Sequence, residues 1–216
     1  MKKIIIGLVM LSFKVGISQP ISTYSKFLGD SVLIEWADGI VVYQDTFYIV
    51  GVNFNATQSF QRVSCFKTTN RAVQILNKSY ESSSSITSLG DPGSFSFTSD
   101  TNLITGGGAI FNGKSKGVLF KFDLNFDTIY VKEFFGSPDS SNYFLSVSEL
   151  SDKSYQIAGV TSSFGAGAAD AWFLNTDKNG KMNWQKTFGG AGVDFGSLLA
   201  PYLNGFIGGW YYWDYN

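Results

Sequence analysis

Residues 155–190 read YQIAGVTSSFGAGAADAWFLNTDKNGKMNWQKTFGG, and this stretch decides the fold because it is one cycle of a repeat. Its anchor is Gly159, which ends a short apolar step, and the same kind of step ends at Gly51, Gly106 and Gly209. Successive anchors are 55, 53 and 50 residues apart. A fixed period of this length indicates a fold that is built from repeated supersecondary units.

Other landmarks keep the same phase as the glycine anchors. An aromatic residue follows each of the first three glycines after 14 or 15 residues: Phe66, Phe120 and Phe173. A second aromatic residue follows after another 14 or 15 residues: Tyr80, Phe134 or Phe135, and Phe188. A polar turn separates the two aromatics in each copy: Thr68 to Asn70, Asp123 to Asn125, and Asp177 to Gly180. Three landmarks in phase support a true repeat.

Each unit of the repeat reads as four short strands. In the third copy the strands are predicted at about 143–151, 154–162, 169–176 and 182–188, because β-branched and aromatic runs alternate there with Gly, Asn, Asp and Ser clusters. Asn179-Gly180 lies between the last two runs, and both residues tolerate positive φ. The pair therefore predicts a type I′ hairpin turn.

The faces of the strands indicate how these units pack. Val118-Leu119-Phe120 is apolar on both faces of its strand. In a sheet with one solvent-exposed face, apolar and polar residues would alternate along the strand. Four-stranded units that recur every ~40–50 residues are typical of β-propeller blades. The glycine column fits this interpretation, since Gly within a strand marks a close approach of two backbones. The predicted fold class is all-β, a partial β-propeller of about three and a half four-stranded antiparallel blades.

The repeat also sets the predicted boundaries within residues 19–216. An outer strand is expected at 22–27, followed by blades at about 32–80, 94–135, 143–188 and an incomplete one at 195–216. The serine run Ser82 to Ser85 is predicted to be a surface loop. Propellers normally have four to eight blades, and three and a half cannot close a ring. We therefore expect either a fragment of a longer protein or completion by a partner.

The N-terminus reads as a secretory signal over residues 1–18. Lys2 and Lys3 precede the apolar run Ile4 to Phe13, and Gly16-Ile17-Ser18 supplies a small-x-small cleavage site. The apolar run is too short to cross a bilayer, which needs about 20 residues. We expect cleavage after this segment and no membrane span in the mature chain.

The charge of the chain argues against nucleic-acid binding, and its cysteine content excludes an intrachain disulfide. Without the signal the chain carries 13 basic and 17 acidic residues, a net charge of −4. A weakly acidic chain lacks the clustered Lys and Arg that nucleic-acid binding needs. Cys65 is the sole cysteine, so an intrachain disulfide is excluded. Its apolar surroundings predict a buried small hydrophobe rather than a reactive thiol.

The third copy resembles the repeats of secreted bacterial β-propeller proteins that end in a type IX secretion sorting domain. The matching segments lie within residues 155–196: Gly159 to Ser162, Asp170 to Trp172, Asp177 to Gly180 and Trp184 to Gly190. The resemblance implies an extracellular or cell-surface location in a Gram-negative bacterium. It implies no particular reaction, and the sorting domain has no counterpart in this sequence.

The residues that could support catalysis or metal binding are limited. The chain has no histidine, which excludes Ser-His-Asp and Cys-His catalysis and the usual zinc sites. Asp123 to Asp127 begins like a calcium loop, but Thr128 and Phe134 occupy the positions that need Gly and Glu. This segment aligns with Asp177 to Gly180. We predict turns in which Asp caps backbone N–H groups, and no metal site.

Several carboxylates lie at loops between predicted strands: Asp30, Asp139, Asp170 and Asp194. Paired carboxylates can hydrolyse glycosidic bonds. No spacing selects a pair among these four. A structural role at turns is therefore favoured over a catalytic one.

Glycine clusters and tryptophans are the remaining candidates. Gly106-Gly107-Gly108 and Gly165-Ala166-Gly167 are predicted to be loops that open no helix, so a phosphate-binding role is excluded. Two tryptophans at repeat positions are predicted to pack in the blade core: Trp172 and Trp184. Two others are candidates for a sugar-stacking face: Trp210 and Trp213.

The sequence favours a secreted or cell-surface module that binds or scaffolds an extracellular protein or glycan without catalysis. No catalytic, cofactor-binding or metal-ligating residue is predicted. The alternative is an extracellular propeller enzyme that acts on glycans through paired carboxylates. A purely structural repeat of an adhesin is a third possibility.

Overall fold

The computed structural model of this chain describes eight ranges of residues: 34–54, 62–70, 73–80, 85–89, 94–111, 114–136, 140–202 and 205–213. Within these ranges the regular structure consists of β-strands. The predicted signal peptide and the predicted outer strand at 22–27 lie outside the described residues. The described part of the chain contains no helix that is long and apolar enough to cross a membrane.

The strands form four antiparallel sheets, which we call blades one to four. Blade one has the order β1-β2-β3-β4: Ile34–Tyr43, Thr46–Phe54, Arg62–Thr69 and Gln74–Tyr80. Blade two holds β5 to β9: Ser85–Ser88, Ser96–Phe97, Leu103–Phe111, Lys114–Phe122 and Thr128–Phe134. Blade three has the order β10-β11-β12-β13: Asn142–Glu149, Tyr155–Thr161, Asp170–Thr176 and Met182–Phe188. Blade four holds β14 and β15: Val193–Tyr202 and Gly205–Trp213.

This architecture confirms the predicted all-β class and the partial β-propeller. Sheets of four, five and four strands are followed by a two-stranded one, and the described residues form no closed ring. The strands of blade three lie close to their predicted bounds. The repeat period therefore predicted a succession of antiparallel sheets of this kind.

The hairpin turn of blade three differs from the prediction. The N–H of Gly180 donates to the carbonyl of Asp177 at 3.0 Å, so the turn begins one residue earlier than a type I′ turn on Asn179-Gly180 would. Of that pair, only Gly180 has positive φ, at 75°. The strand pairing shifts by one residue beside the turn. This is the longer hairpin connection, in which a left-handed residue forms a bulge.

Blade two begins earlier than the predicted position 94. Strand β5 pairs with β7 through Ser85 and Ile110, so Ser85 lies in a strand rather than in the predicted loop. Residues 82–84 lie outside the described residues. Serine has little preference for strands, and here the pairing with β7 decides the conformation, as context often does for strands.

The column of anchor glycines lies on the second strand of each blade. In three blades the innermost strand bulges opposite this glycine: at Ala37/Gly39, Phe144/Ser146 and Gly196/Leu198. At Gly159 a Cβ atom would lie 2.1 Å from the carbonyl oxygen of Tyr143. Gly159 therefore marks a close backbone approach, as the sequence predicted, whereas a Cβ atom on Gly106 would meet side chains.

The hydrophobic core lies in the interfaces between blades. One buried cluster joins blade one to blade two and includes Val50, Cys65 and Phe122. A second joins blade two to blade three and includes Leu119 and Phe144. Because side chains alternate along each strand, both faces of an inner sheet are covered by neighbours.

The last strands of blades one, two and three carry the same alternating set, which we call the outer-strand triplet. It consists of a leucine or aromatic residue, a lysine and a further aromatic residue: Leu76, Lys78 and Tyr80; Tyr130, Lys132 and Phe134; Trp184, Lys186 and Phe188. In blade one the lysine Nζ lies 2.6 Å from Oδ1 of Asp127 in blade two. The aromatic ring centroid of Tyr80 lies 5.5 Å from that of Phe122, also in blade two. The triplet thus forms part of the contact between blades one and two.

Cys65 is buried in the first of these interfaces, as predicted. Burial raises the pKa of its thiol, which keeps the sulfur protonated. We expect no reaction with Ellman's reagent in the native protein and one thiol released per chain in guanidinium. A native reaction as fast as the denatured one would contradict this burial.

Asp38 lies at the bulge of β1, and its Oδ2 is buried with no hydrogen-bond partner among the described residues. Burial raises the pKa of this carboxyl to about 6. The folded state therefore holds a proton between pH 6 and pH 4 that the unfolded chain has lost. The contribution of this group to stability increases as pH falls through 6 and levels off near 4.

Asp38→Asn tests this pH dependence. We expect the variant to be more stable than the wild type by about 1 kcal/mol at pH 7.5, a value reduced for the partial exposure of the group. The difference should vanish near pH 4.5. Urea unfolding at several pH values measures it, with Asp45→Asn at an exposed turn residue as the control. A difference that is constant with pH would contradict the assignment.

Candidate binding cleft between the second and third blades

The turns at one end of blades two and three share a capping device. Oδ1 of Asp123 accepts the N–H groups of Asn125 and Asp127 at 2.8 Å each. Oδ1 of Asp177 accepts those of Asn179 and Lys181 at 2.9 Å each. The predicted turn-capping role of both aspartates is confirmed. Among the described residues no group of three or more His, Cys, Asp or Glu is placed to hold a metal ion.

A buried lysine joins blades two and three at this end. Lys121, on β8, is 5% exposed, and its ammonium donates to Oδ2 of Asp100 at 2.8 Å and to the hydroxyl of Tyr155 at 3.0 Å. Asp100 precedes β7, and the buried Tyr155 begins β11. Since both blades contribute partners, the ammonium position is fixed from two sides.

The charges of this group are stable across ordinary pH. Burial alone would raise the pKa of Asp100, but hydrogen bonds from Lys121 and Thr98 outweigh it and lower the pKa to about 2. Burial alone would lower the pKa of Lys121, but hydrogen bonds to Asp100 and Tyr155 outweigh it and raise the pKa. The pKa of Tyr155 is raised by burial, despite the nearby ammonium. The three side chains therefore act as one fixed ionic network.

A cleft of about 330 Å³ opens above this network. One wall holds Glu149, whose carboxylate accepts the N–H of Ser99 at 2.5 Å and its hydroxyl at 3.1 Å. Another holds Tyr130, whose hydroxyl donates to the carbonyl of Lys178 at 3.4 Å. Burial raises the pKa of Tyr130. The remaining lining residues are Asn102, Ile129, Lys153, Lys178 and Asn179.

The sequence did not single out the residues of this cleft. One signal was present: Lys121 interrupts the apolar second half of β8, between Phe120 and Phe122. A lysine at such a position is seldom buried unless it is paired. Its partners Asp100 and Tyr155 belong to no local sequence motif that would have pointed to them.

The predicted loop carboxylates take structural roles where they are described. Oδ2 of Asp170 accepts the N–H groups of Ala166 and Gly167 at 3.1 and 3.2 Å. Oδ2 of Asp194 accepts the N–H of Gly190 at 2.9 Å. A Cβ atom on Gly189 would lie 2.4 Å from one carboxylate and 2.6 Å from the other, so the two face each other across this glycine. The other two candidates, Asp30 and Asp139, lie outside the described residues.

Of the two glycine clusters, one lies in a loop and the other lies inside a strand. Gly165 to Gly167 lies in the loop between β11 and β12, as predicted, with φ of 103° at Gly165. Gly106 to Gly108 lies inside β7, so the predicted loop there is wrong. The missing side chain makes room for the next blade, because a Cβ atom on Gly106 would lie 2.8 Å from Val147.

Of the two tryptophans that were predicted to lie in the core, one is buried and the other is exposed. Trp172 is buried and its indole N–H donates to Gln185 at 3.0 Å, which confirms the predicted core role. Trp184 is 37% exposed on the outer strand, so the same prediction for it is wrong. Outer strands are covered on one side only by a following blade. Trp210 and Trp213 lie in β15, and their sugar-stacking role stays a prediction.

Comparison with known proteins identifies no family. No protein-family model matches this chain, and no curated protein does. A solved structure of a Bacteroides ovatus protein, described as a "putative hydrolase", is similar with a TM-score of 0.40 and 12% sequence identity. The match covers 73% of this chain and 46% of that one, so this chain spans less than half of that protein's length.

Proposed function

We propose that this protein is a secreted or cell-surface module of a Gram-negative bacterium that binds an extracellular glycan or protein and catalyses no reaction. The cleft between blades two and three carries the binding. One observation supports this choice: Lys121, Asp100 and Tyr155 are fixed by one another at the base of a concave, polar site. Concave sites with a few convergent polar groups are the usual form of a ligand site.

The rigidity of the network favours binding. Groups that are already held in place lose little further freedom when a ligand arrives, and this raises affinity. The side chain of Glu149 is held in the same way by Ser99. The ligand therefore meets a preformed surface.

The alternative, hydrolysis of glycans by paired carboxylates, needs two carboxyl groups that are free to act. Asp100 and Glu149 both line the cleft, but Asp100 accepts from Lys121 and Glu149 accepts from Ser99 through both oxygens. Asp170 and Asp194 face each other, but both are buried and both accept backbone N–H groups. A glycosidase needs one carboxyl that donates a proton and another that is free to act as base or nucleophile. We therefore favour binding. Hydrolysis that is lost in a folded Asp170→Asn variant would contradict this choice.

A steric variant tests the binding site. Asn179 lines the cleft, and Asn125 occupies the matching position in the turn of blade two without lining it. The full chain, Asn179→Trp and Asn125→Trp are applied to immobilised extracellular glycans and proteins. We expect ligands of the wild type to be lost with Asn179→Trp and kept with Asn125→Trp. Equal binding by all three would contradict the proposed site.

The location is tested separately by cell fractionation and N-terminal sequencing. Export with cleavage after the predicted signal gives a mature chain that starts at Gln19. Surface exposure makes that chain accessible to an external protease in intact cells. An uncleaved chain in the cytoplasm would contradict the proposed location.

A further inference from the structure

The last strand of blade three has one face that points toward blade four. In the pairing of β12 with β13, Lys186 is directly opposite Phe173 and Phe188 is directly opposite Ala171. Directly opposite residues share a face of a sheet. A Cβ atom on Gly196 of β14 would lie 3.3 Å from the Cζ of Phe173 and 3.4 Å from the Cβ of Ala171, so this face meets blade four. We call it the blade-four side of β13.

The outer-strand triplet on this side is more exposed than the triplets of blades one and two. Trp184 is 37% exposed and Phe188 is 44% exposed, whereas Phe134, the last residue of the triplet in blade two, is 8% exposed. In blade one, Tyr80 at that position is half-buried. In the described part of the chain, blade four has two strands and supplies no third or fourth strand. A large apolar surface therefore stays exposed on the blade-four side of β13.

At the two earlier junctions, a turn of the following blade lies against the triplet. The ammonium of Lys78 lies 2.6 Å from Oδ1 of Asp127, in the turn between β8 and β9. The hydroxyl of Tyr130 donates to the carbonyl of Lys178, in the turn between β12 and β13. Both turns join the third and fourth strands of their blades. The triplet is thus a surface that accepts the turn of a β-hairpin.

Lys186 lacks the acidic partner that Lys78 has. Its Nζ lies 5.9 Å from the centroid of the Trp184 ring, and it forms no ion pair with any residue that the structure describes. A carboxylate placed as Asp127 is placed against Lys78 would complement this charge, and complementary charges favour one partner over others. The apolar surface and the charge therefore favour the same kind of occupant.

We propose that the blade-four side of β13 is an interaction surface for another protein, and that the occupant is a β-hairpin of the same repeat type with a carboxylate in its turn. The carboxylate pairs with Lys186. An aromatic residue of the hairpin packs on Phe188, as Phe122 packs on Tyr80 with 5.5 Å between ring centroids. This surface is separate from the cleft, and the inference does not depend on the proposed binding function.

Other occupants fit this surface less well. In a second copy of this chain, the turn that carries Asp127 is already held against Lys78. The matching residues of the other two turns of this kind are Val73 and Lys181, and neither offers a carboxylate. The predicted outer strand at 22–27 contains Lys26 and no acidic residue. A hairpin from another protein is therefore favoured.

A cyclic peptide of residues 117–134 tests the docking. These residues form a hairpin in which Gly117 pairs with Phe134, so cyclisation joins two neighbouring ends and stabilises a hairpin that would be marginal alone. Calorimetric titration of the full chain with this peptide measures the affinity, and tryptophan fluorescence follows the burial of Trp184. We expect binding with an emission shift to shorter wavelength, and Trp184→Phe should lose that shift. No binding at millimolar peptide would overturn the inference.

Charge reversal locates the ion pair. Lys186→Glu should weaken peptide binding about tenfold or more, because repulsion replaces attraction. A peptide with Asp127→Lys should bind Lys186→Glu more tightly than it binds the wild type. Gln185→Glu is the matched control, since it adds negative charge to the opposite face of β13 and keeps an acceptor for the N–H of Trp172. Equal losses in both variants, or no rescue by the reversed peptide, would overturn the assignment.

Two measurements identify a different occupant. Sedimentation without peptide that gives dimers of the wild type and monomers of Lys186→Glu would show that a second copy covers the surface, and would overturn the proposed partner. Peptide binding that strengthens when residues 22–28 are deleted would show that the chain's own N-terminal segment covers it, and would overturn the proposal as well. A monomer whose affinity for the peptide is unchanged by the deletion supports another protein as the occupant.

Discussion

Gly159→Ala is expected to lower the free energy of unfolding by about 3 kcal/mol or more, the upper part of the range for added volume in a packed interior. A Cβ atom at this position would lie 2.1 Å from the carbonyl oxygen of Tyr143 and 2.9 Å from the Cα of Phe144. Both contacts are with backbone atoms, which no side-chain rotation can move. Relief would require β10 and β11 to separate at the bulge.

Gly190→Ala is the matched control for this substitution. A Cβ atom on Gly190 would meet nothing within 4 Å, and its backbone φ is outside the left-handed region. We expect a change within about 0.5 kcal/mol, since alanine also restricts the unfolded chain. Urea unfolding followed by far-UV circular dichroism measures both variants. Similar losses in both would show that the close approach at Gly159 is not what makes alanine unfavourable.

Phe144→Ala is expected to lower the free energy of unfolding by about 3 to 5 kcal/mol, as for other buried Phe residues. The ring is fully buried between blades two and three. Its centroid lies 5.3 Å from that of Phe134 in blade two and 5.3 Å from that of Trp172 in blade three. Removal of the ring leaves a cavity at the interface where the two blades meet. Phe135→Ala, at a ring that is 62% exposed, should lose less than about 1 kcal/mol.

A second substitution tests whether this ring needs the glycine beside it. A Cβ atom on Gly117 would lie 2.6 to 2.9 Å from the end of the Phe144 ring. Gly117→Ala should therefore destabilise the wild type, and its effect should shrink when Phe144 is already alanine, because the new methyl group then fills part of the cavity. The coupling energy of this double-mutant cycle should exceed about 1 kcal/mol. Additive effects would contradict direct packing of the ring against Gly117.

The blades could be predicted from sequence because their signals are local or strictly periodic. Gly159 recurs in phase with Gly106, and at both positions a Cβ atom would clash, with the backbone of Tyr143 at Gly159 and with the side chain of Val147 at Gly106. The capping roles of Asp123 and Asp177 were also predictable, since the donors lie within the same turn. Interactions over a few residues leave a pattern that a sequence can show.

The cleft was missed because its parts meet only through the packing of two blades. Asp100 and Lys121 come from blade two and Tyr155 from blade three, and no spacing relates them. The same reason explains the strand at Ser85, which exists through its pairing with β7. The burial of an outer-strand residue such as Trp184 likewise depends on the neighbouring blade. The sequence around Trp184 carries no information about how that blade packs.

The outer-strand triplet has a consequence for how such a chain evolves. Lys78, Lys132 and Lys186 follow one another at intervals of 54 residues, and each belongs to the same alternating face. Duplication or deletion of one whole unit would join surfaces that already match, so unequal recombination between repeats could change the number of blades without a new interface having to arise. The length of the gene would then vary in whole units, and the turns that bear the cleft would be free to diverge.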